Sequence, residues 1–144
     1  MDIDEMRCRI DRIYENQSQI TLALWSIKIA RHIIEIVGLD ISKYPEVEEG
    51  FSVNKMWQSG KARMHDVRQA GLKIHGIARE QKNEELSCTF RVIGQAVSSG
   101  HMKEHAMVAS DYAVKVMNIR YSNDIAKVQE ERNWQLNELL RLSD

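Results

Sequence analysis

The chain has 144 residues, a net charge of −1, and 28% charged against 43% apolar residues. That length suits one domain burying roughly 68–70% of its unfolded surface, and the balance excludes a disordered or fibrous chain. The 20 Lys and Arg lie scattered among 21 Asp and Glu, which excludes simple polyanion binding, so no nucleic-acid partner is expected.

Helical periodicity runs through the chain, and the alternation that marks strands is weak. The expectation is an all-α fold, a single-domain bundle of about six to seven helices over residues 1–144. The first helix spans about Asp2 to Glu15, with Ile3, Met6, Ile10, Ile13 and Tyr14 on one face. Its opening acids Asp2, Asp4 and Glu5 suit the positive end of the helix dipole. The second, about Gln19 to Val37, is apolar nearly all round, as a central helix should be, and Gly38 is placed to cap it.

Pro45 opens a third helix, since a first-turn proline loses no needed donor. Its inward face is expected to be Val47, Phe51, the Lys55 stem and Met56, and Gly60 ends it. A fourth, about Ala62 to Gln81, turns Val67, Gly71, Ile74, His75 and Ala78 inward. Asn83 reads as the N-cap of the fifth, about Glu84 to Ser99, which ends in small residues that let backbones approach closely. The sixth, about His101 to Ile119, puts Met102, His105, Ala109, Tyr112 and Val116 on one stripe. The last, about Ser122 to Leu142, points Ile125, Val128, Leu136, Leu139 and Leu140 inward, with Gln129 to Arg132 as a solvated charge run.

Cys8 and Cys88 are too few and too isolated for a disulfide framework or a metal knuckle, and both fit small apolar packing residues of a reducing cytoplasm. The acidic opening Met1 to Glu5 lacks the pattern of a secretory signal. The most apolar stretch, Ile20 to Gly38, carries Lys28, Arg31, His32 and Glu35, which suits a core helix and no membrane partner.

His101 and His105 are the sharpest local feature: on one helix, residues four apart stack one turn above the other. Two imidazoles at that spacing can share a divalent metal. The order His-Met-Lys-Glu-His departs from the metalloprotease pattern His-Glu-x-x-His. His75 joins them if the fourth and sixth helices are neighbours, and Gln95 and Tyr112 complete the candidate cluster. The plainer reading is that each histidine makes an ordinary buried hydrogen bond and that no cofactor is held. His32 and His65 read as peripheral. Trp25 and Trp57 both read as core, with an edge position where it could anchor a partner as the alternative for Trp57. No phosphate loop, dinucleotide fingerprint or nucleophile elbow is present.

Two segments carry a family likeness. One is Trp57-Gln58-Ser59-Gly60 followed by Arg68 to Glu80; the other is Arg91 to Ala106, continued by Ala109, Tyr112, Ala113 and Lys115. Over about residues 20–120 the chain resembles the all-helical, immunity protein five-like family of bacterial toxin systems. The family often carries a cysteine and a glutamate where this chain has Ile29 and Arg31. The resemblance implies a helical fold and a binding protein that neutralises a cognate toxin, and carries no catalytic residue over. Trp57 with Glu46, Glu48 and Glu49 are the candidate toxin contacts. The alternative is a metal- or small-molecule-binding helical domain, an enzyme among the options, built on the histidine cluster. The apolar surfaces of the second and last helices would also allow a homodimer.

Overall fold

The computed structural model of the protein describes residues 1–143, and among them the chain forms seven α-helices and no strand. These are α1 (Asp4–Tyr14), α2 (Gln19–Val37), α3 (Pro45–Gln58), α4 (Met64–Glu80), α5 (Glu84–Ser98), α6 (Glu104–Arg120) and α7 (Ile125–Leu142), with a single 3-10 turn, Ile41–Lys43, before α3. Side chains answer the free backbone donors at several starts. The Ser18 hydroxyl accepts from Thr21 N, Asn83 Oδ1 from Leu86 N, and Asp124 Oδ1 from Ala126 N. At α4 the Asp66 carboxylate reaches back to the Arg63 amide at 3.0 Å. Gly38 closes α2 at φ 74°, a left-handed conformation that costs glycine little. Pro45 sits in the first turn of α3, as its missing N–H requires.

α5 is the spine. It packs against α4 on one side, α6 on another and α2 behind, while α3 leans on α4 and α1 lies along α7. From Cys88 to Gly100 every residue is buried except Arg91 and Gln95. α4 approaches α5 so closely that a Cβ on Gly71 would stand 2.1 Å from Ser98 Oγ, and one on Gly94 2.8–3.0 Å from three ring atoms of His75. The small residues expected at this end of the fifth helix therefore serve close backbone contact. Trp25 fills the centre with no exposed surface, and its indole N–H donates to the Gln135 carbonyl at 2.9 Å.

Several expectations need correction. α6 begins at Glu104, three residues later than expected, so His101 precedes the helix. Met56, Met102, Ile125 and Leu140 are exposed rather than inward. On α3 the inward face runs instead through Val47, Gly50, Phe51 and Asn54, whose amide donates to the Val97 carbonyl at 2.8 Å. The largest departure is on α7: Glu131 and Arg132, read as solvated, are 1% and 0% exposed. Val128, Arg132, Gln135, Leu136 and Leu139 recur at helical spacing, so position carries Arg132 inward whatever its polarity.

Candidate functional site

The expected histidine cluster forms in part, and Gln95 is its centre. The α4–α5 contact lays the His75 ring flat over Gly94, one residue from Gln95. His75 Nδ1 lies 2.9 Å from Arg91 Nη1, and its Nε2 lies 3.5 Å from Gln95 Nε2. The amide's other end is 2.7 Å from His105 Nδ1 on α6. His75 thus faces two donors, which a neutral imidazole with one N–H cannot satisfy. Exchanging the amide oxygen and nitrogen, which moves no other atom, joins donor to acceptor throughout. Arg91 then donates to His75 Nδ1, His75 Nε2–H to the amide oxygen, and the amide NH2 to His105 Nδ1.

Both rings are held neutral. Burial first, then the charges of Arg91, His105 and Arg79, bring the His75 pKa down to about 4. His105 is lowered by burial and by His101, with Glu104 opposing. A second proton on His75 would remove the acceptor of Arg91 and place a cation beside the guanidinium.

The other candidate residues are dispersed. His101, in the turn before α6, holds its ring 5.8 Å from that of His105 at a 33° tilt, close but not stacked along a helix face. Among the described residues, no three His, Cys, Asp or Glu side chains lie close enough to hold a metal ion. The three histidines do not make the three-imidazole set considered from the sequence, because an amide occupies the space where His75 and His105 would have to converge. Tyr112 lies two turns along α6, about 10 Å of rise from His105. It lines a separate cleft of about 140 Å³ with Cys88, Arg91 and Lys115. Burial pushes the Cys88 thiol up to about 11, which leaves it un-ionised near neutrality.

Trp57 is half-buried, its ring pressed on the Gly100 backbone, where a Cβ would come within 3.1 Å. It stands roughly 16 Å along α3 from Glu46 at about 1.5 Å per residue. The three glutamates divide between two faces. Glu48 pairs with Arg31 at 3.2 Å across to α2, while Glu46 and Glu49 line a hollow toward α4 with Lys73 and Gln69.

Two features escaped the sequence reading. One is a buried polar chain. Arg132 donates to both Asp2 oxygens, to Asp111, to Ser110 Oγ and to Gln135 Oε1, at 2.6–3.2 Å. Burial opposes ionisation of Asp2, but the Arg132 hydrogen bond and charge outweigh it and hold its carboxyl low. Gln135 donates on to Glu131, whose Oε1 lies 2.9 Å from His32 Nδ1. Those two facing atoms are buried, and the approach lacks the direction of a hydrogen bond, so the contact is one of proximity. Trp134 stacks on His32 at 3.8 Å, so His32 is part of the packing and not peripheral. The clue was available: Arg132 and Gln135 occupy the apolar stripe of α7.

The other is a groove between α2 and α3 of about 530 Å³. Leu24, Ile27 and Phe51 floor it, and Lys28, Arg31 and Lys55 stand at its rim. No sequence motif marks it, since its residues come from two helices.

A family model described as "Imm-5 like putative immunity protein" matches residues 12–142, which reach from α1 to the end of α7. No curated protein and no solved structure matches the chain.

Proposed function

The chain belongs to the Imm-5 like immunity protein family, and on that footing we propose that it protects the cell that makes it by binding a cognate protein toxin and covering the toxin's working surface. The family match over residues 12–142 is the observation that carries the reading. The reading places the protein in the cytoplasm, where such a toxin would act. No described helix is long and apolar enough to cross a membrane.

The side-chain chemistry agrees with contact rather than turnover. His75 and Gln95 are tied to Arg91 and His105 in one row of side-chain contacts. The thiol of Cys88 is held protonated. Inhibition by coverage needs no reactive group, only roughly 800 Å² per partner and a few anchoring side chains.

The test is co-expression with the protein encoded beside this chain. Restored growth, together with a stoichiometric complex on gel filtration, is the expected result. A neighbouring product that is harmless, or that kills equally with and without this chain, refutes the proposal.

A further inference from the structure

We propose that the α2–α3 groove is the docking site for an acidic segment of the partner protein, a carboxylate-bearing stretch whose apolar side chains enter the groove. This rests on the reading of the chain as a toxin-binding protein and names the chemistry of the surface it would grip.

Three observations carry it. The floor is apolar and open, with Leu24 40% exposed on α2 and Phe51 below it on α3. Ile20, 45% exposed and one turn before Leu24, extends the apolar strip, so from Ile20 to Arg31 it runs about 16 Å. A strip of that length fits several residues of extended or helical chain better than one compact ligand. The rim is cationic: Lys28, Arg31 and Lys55 face the single carboxylate of Glu48, a local charge of +2 on a chain whose net charge is −1.

Arg31 makes the site more than a basic patch. Its guanidinium lies over the Phe51 ring at 4.5 Å, which fixes its plane beside the floor. Its remaining bonds go to Glu48, at 3.2 and 3.4 Å, in a pair whose side chains are about half exposed. Such a pair is weak in water, so a partner's carboxylate can take the place of Glu48 on a fork already oriented. The two lysines add charge at the rim, which sets encounter rate and partner choice.

The test has two arms on the full chain. In the first, a fluorescein-labelled peptide of alternating Glu and Leu, and a control of alternating Lys and Leu, are titrated at low and high salt. The acidic peptide should bind more tightly and lose affinity with salt. The double substitution Lys28→Glu with Lys55→Glu should weaken it about tenfold, and Glu48→Gln should strengthen it two- to threefold, in roughly the range of exposed charge pairs. All three are surface changes, and circular dichroism can verify that the variants fold. Equal binding of both peptides, or affinities indifferent to all these substitutions, overturns the proposal. So does a sedimentation result in which the charge reversal breaks a dimer, since a second copy would then be the occupant.

In the second arm the same variants are co-expressed with the neighbouring toxin. Protection lost with the lysine reversals, but kept when Lys82 and Arg68 are reversed on exposed surface elsewhere, supports the groove. Protection by every variant overturns the groove while leaving toxin binding intact. Failure of the unsubstituted chain to protect, with groove-dependent binding of the acidic peptide, refutes toxin neutralisation and supports the groove's chemistry.

Discussion

Replacing Arg132 by Met tests the buried polar chain directly. The methionine fills most of the same space, so the cost is mainly electrostatic. Arg132 has no exposed surface and serves Asp2, Asp111, Ser110 and Gln135. Breaking a buried charge pair by removing one partner costs about 3–5 kcal/mol when the other is left dry. Here Asp2 and Asp111 keep 27% and 39% of their side-chain surface in water, so they rehydrate, and the value belongs at about 3 kcal/mol. Against a total stability of about 5–15 kcal/mol that is a large fraction, and it corresponds to about 6–12 °C in Tm. Urea unfolding followed by circular dichroism measures it. A cycle with Asp2→Ala should show coupling of about 1–3 kcal/mol, because the pair shares two hydrogen bonds. A single substitution costing under 1 kcal/mol, or additive effects in the cycle, refutes the idea that Arg132 ties the N-terminal segment to α7.

Three further outcomes follow from the packing and the titrations. His75 has a folded pKa of about 4 against 6.5 unfolded, and His105 shifts the same way, so the unfolded chain binds more protons between those values. Their contribution is complete above pH 6.5 and falls as pH drops toward 4, by about 1–2 kcal/mol for His75 after discounting for its partly exposed ring; urea midpoints that stay flat across this window, or an unchanged slope in His75→Gln, contradict it. Gly94→Ala should destabilise by about 1–3 kcal/mol despite better helix propensity, since its methyl would meet the His75 ring, whereas Gly76→Ala, with nothing nearer than Arg79 Nη2 at 3.7 Å, should stabilise by about 0.5–1 kcal/mol; melts with the same sign for both would show the close approach is misread. Exposed Cys8 should react with a disulfide reagent at once and buried Cys88 only on unfolding, and two equivalents released from the folded protein would contradict that assignment.

The helices were legible because apolar spacing and capping chemistry pointed the same way. α2 begins and ends where Gln19 and Val37 predicted, between a serine cap and a left-handed glycine. α6 was mis-started because His101 and Met102 continue its apolar period, yet the chain there makes tight turns, with the His101 and Met102 amides donating to the Ser98 carbonyl. Burial of Arg132 and Glu131 was hidden by residue type, since polarity was given more weight than stripe position. At the site, the sequence marked His75, Gln95 and His105 together but not their order. Whether Gln95 separates the two rings or a metal joins them depends on how α4, α5 and α6 approach, which is set by Gly94 and Gly71. The groove was invisible for a related reason: Lys28 and Lys55 are 27 positions apart, and only the packing of α3 puts them on one rim.

The distribution of polar groups bears on where function sits. A helical bundle this size gains stability from apolar contact, so interior polar groups persist only with partners. In this chain they do so in three places: the Arg132 chain under α1, the Ser26, Asn54 and Ser99 bonds where α2, α3 and α5 meet, and the His75–Gln95–His105 row. Each joins separate helices, and apart from the His32–Glu131 contact the donors face acceptors within the fold. Such networks fix which helix packs on which, because a shifted register would strand a charge or an amide. Around the α2–α3 groove the balance differs. Leu24 and Ile20 lie exposed, Lys28 and Lys55 have no carboxylate in hydrogen-bond reach among the described residues, and Arg31 has only a weak exposed one. Groups left with unspent bonding capacity beside open apolar surface gain most from a partner, and that combination is what suits this groove to recognition.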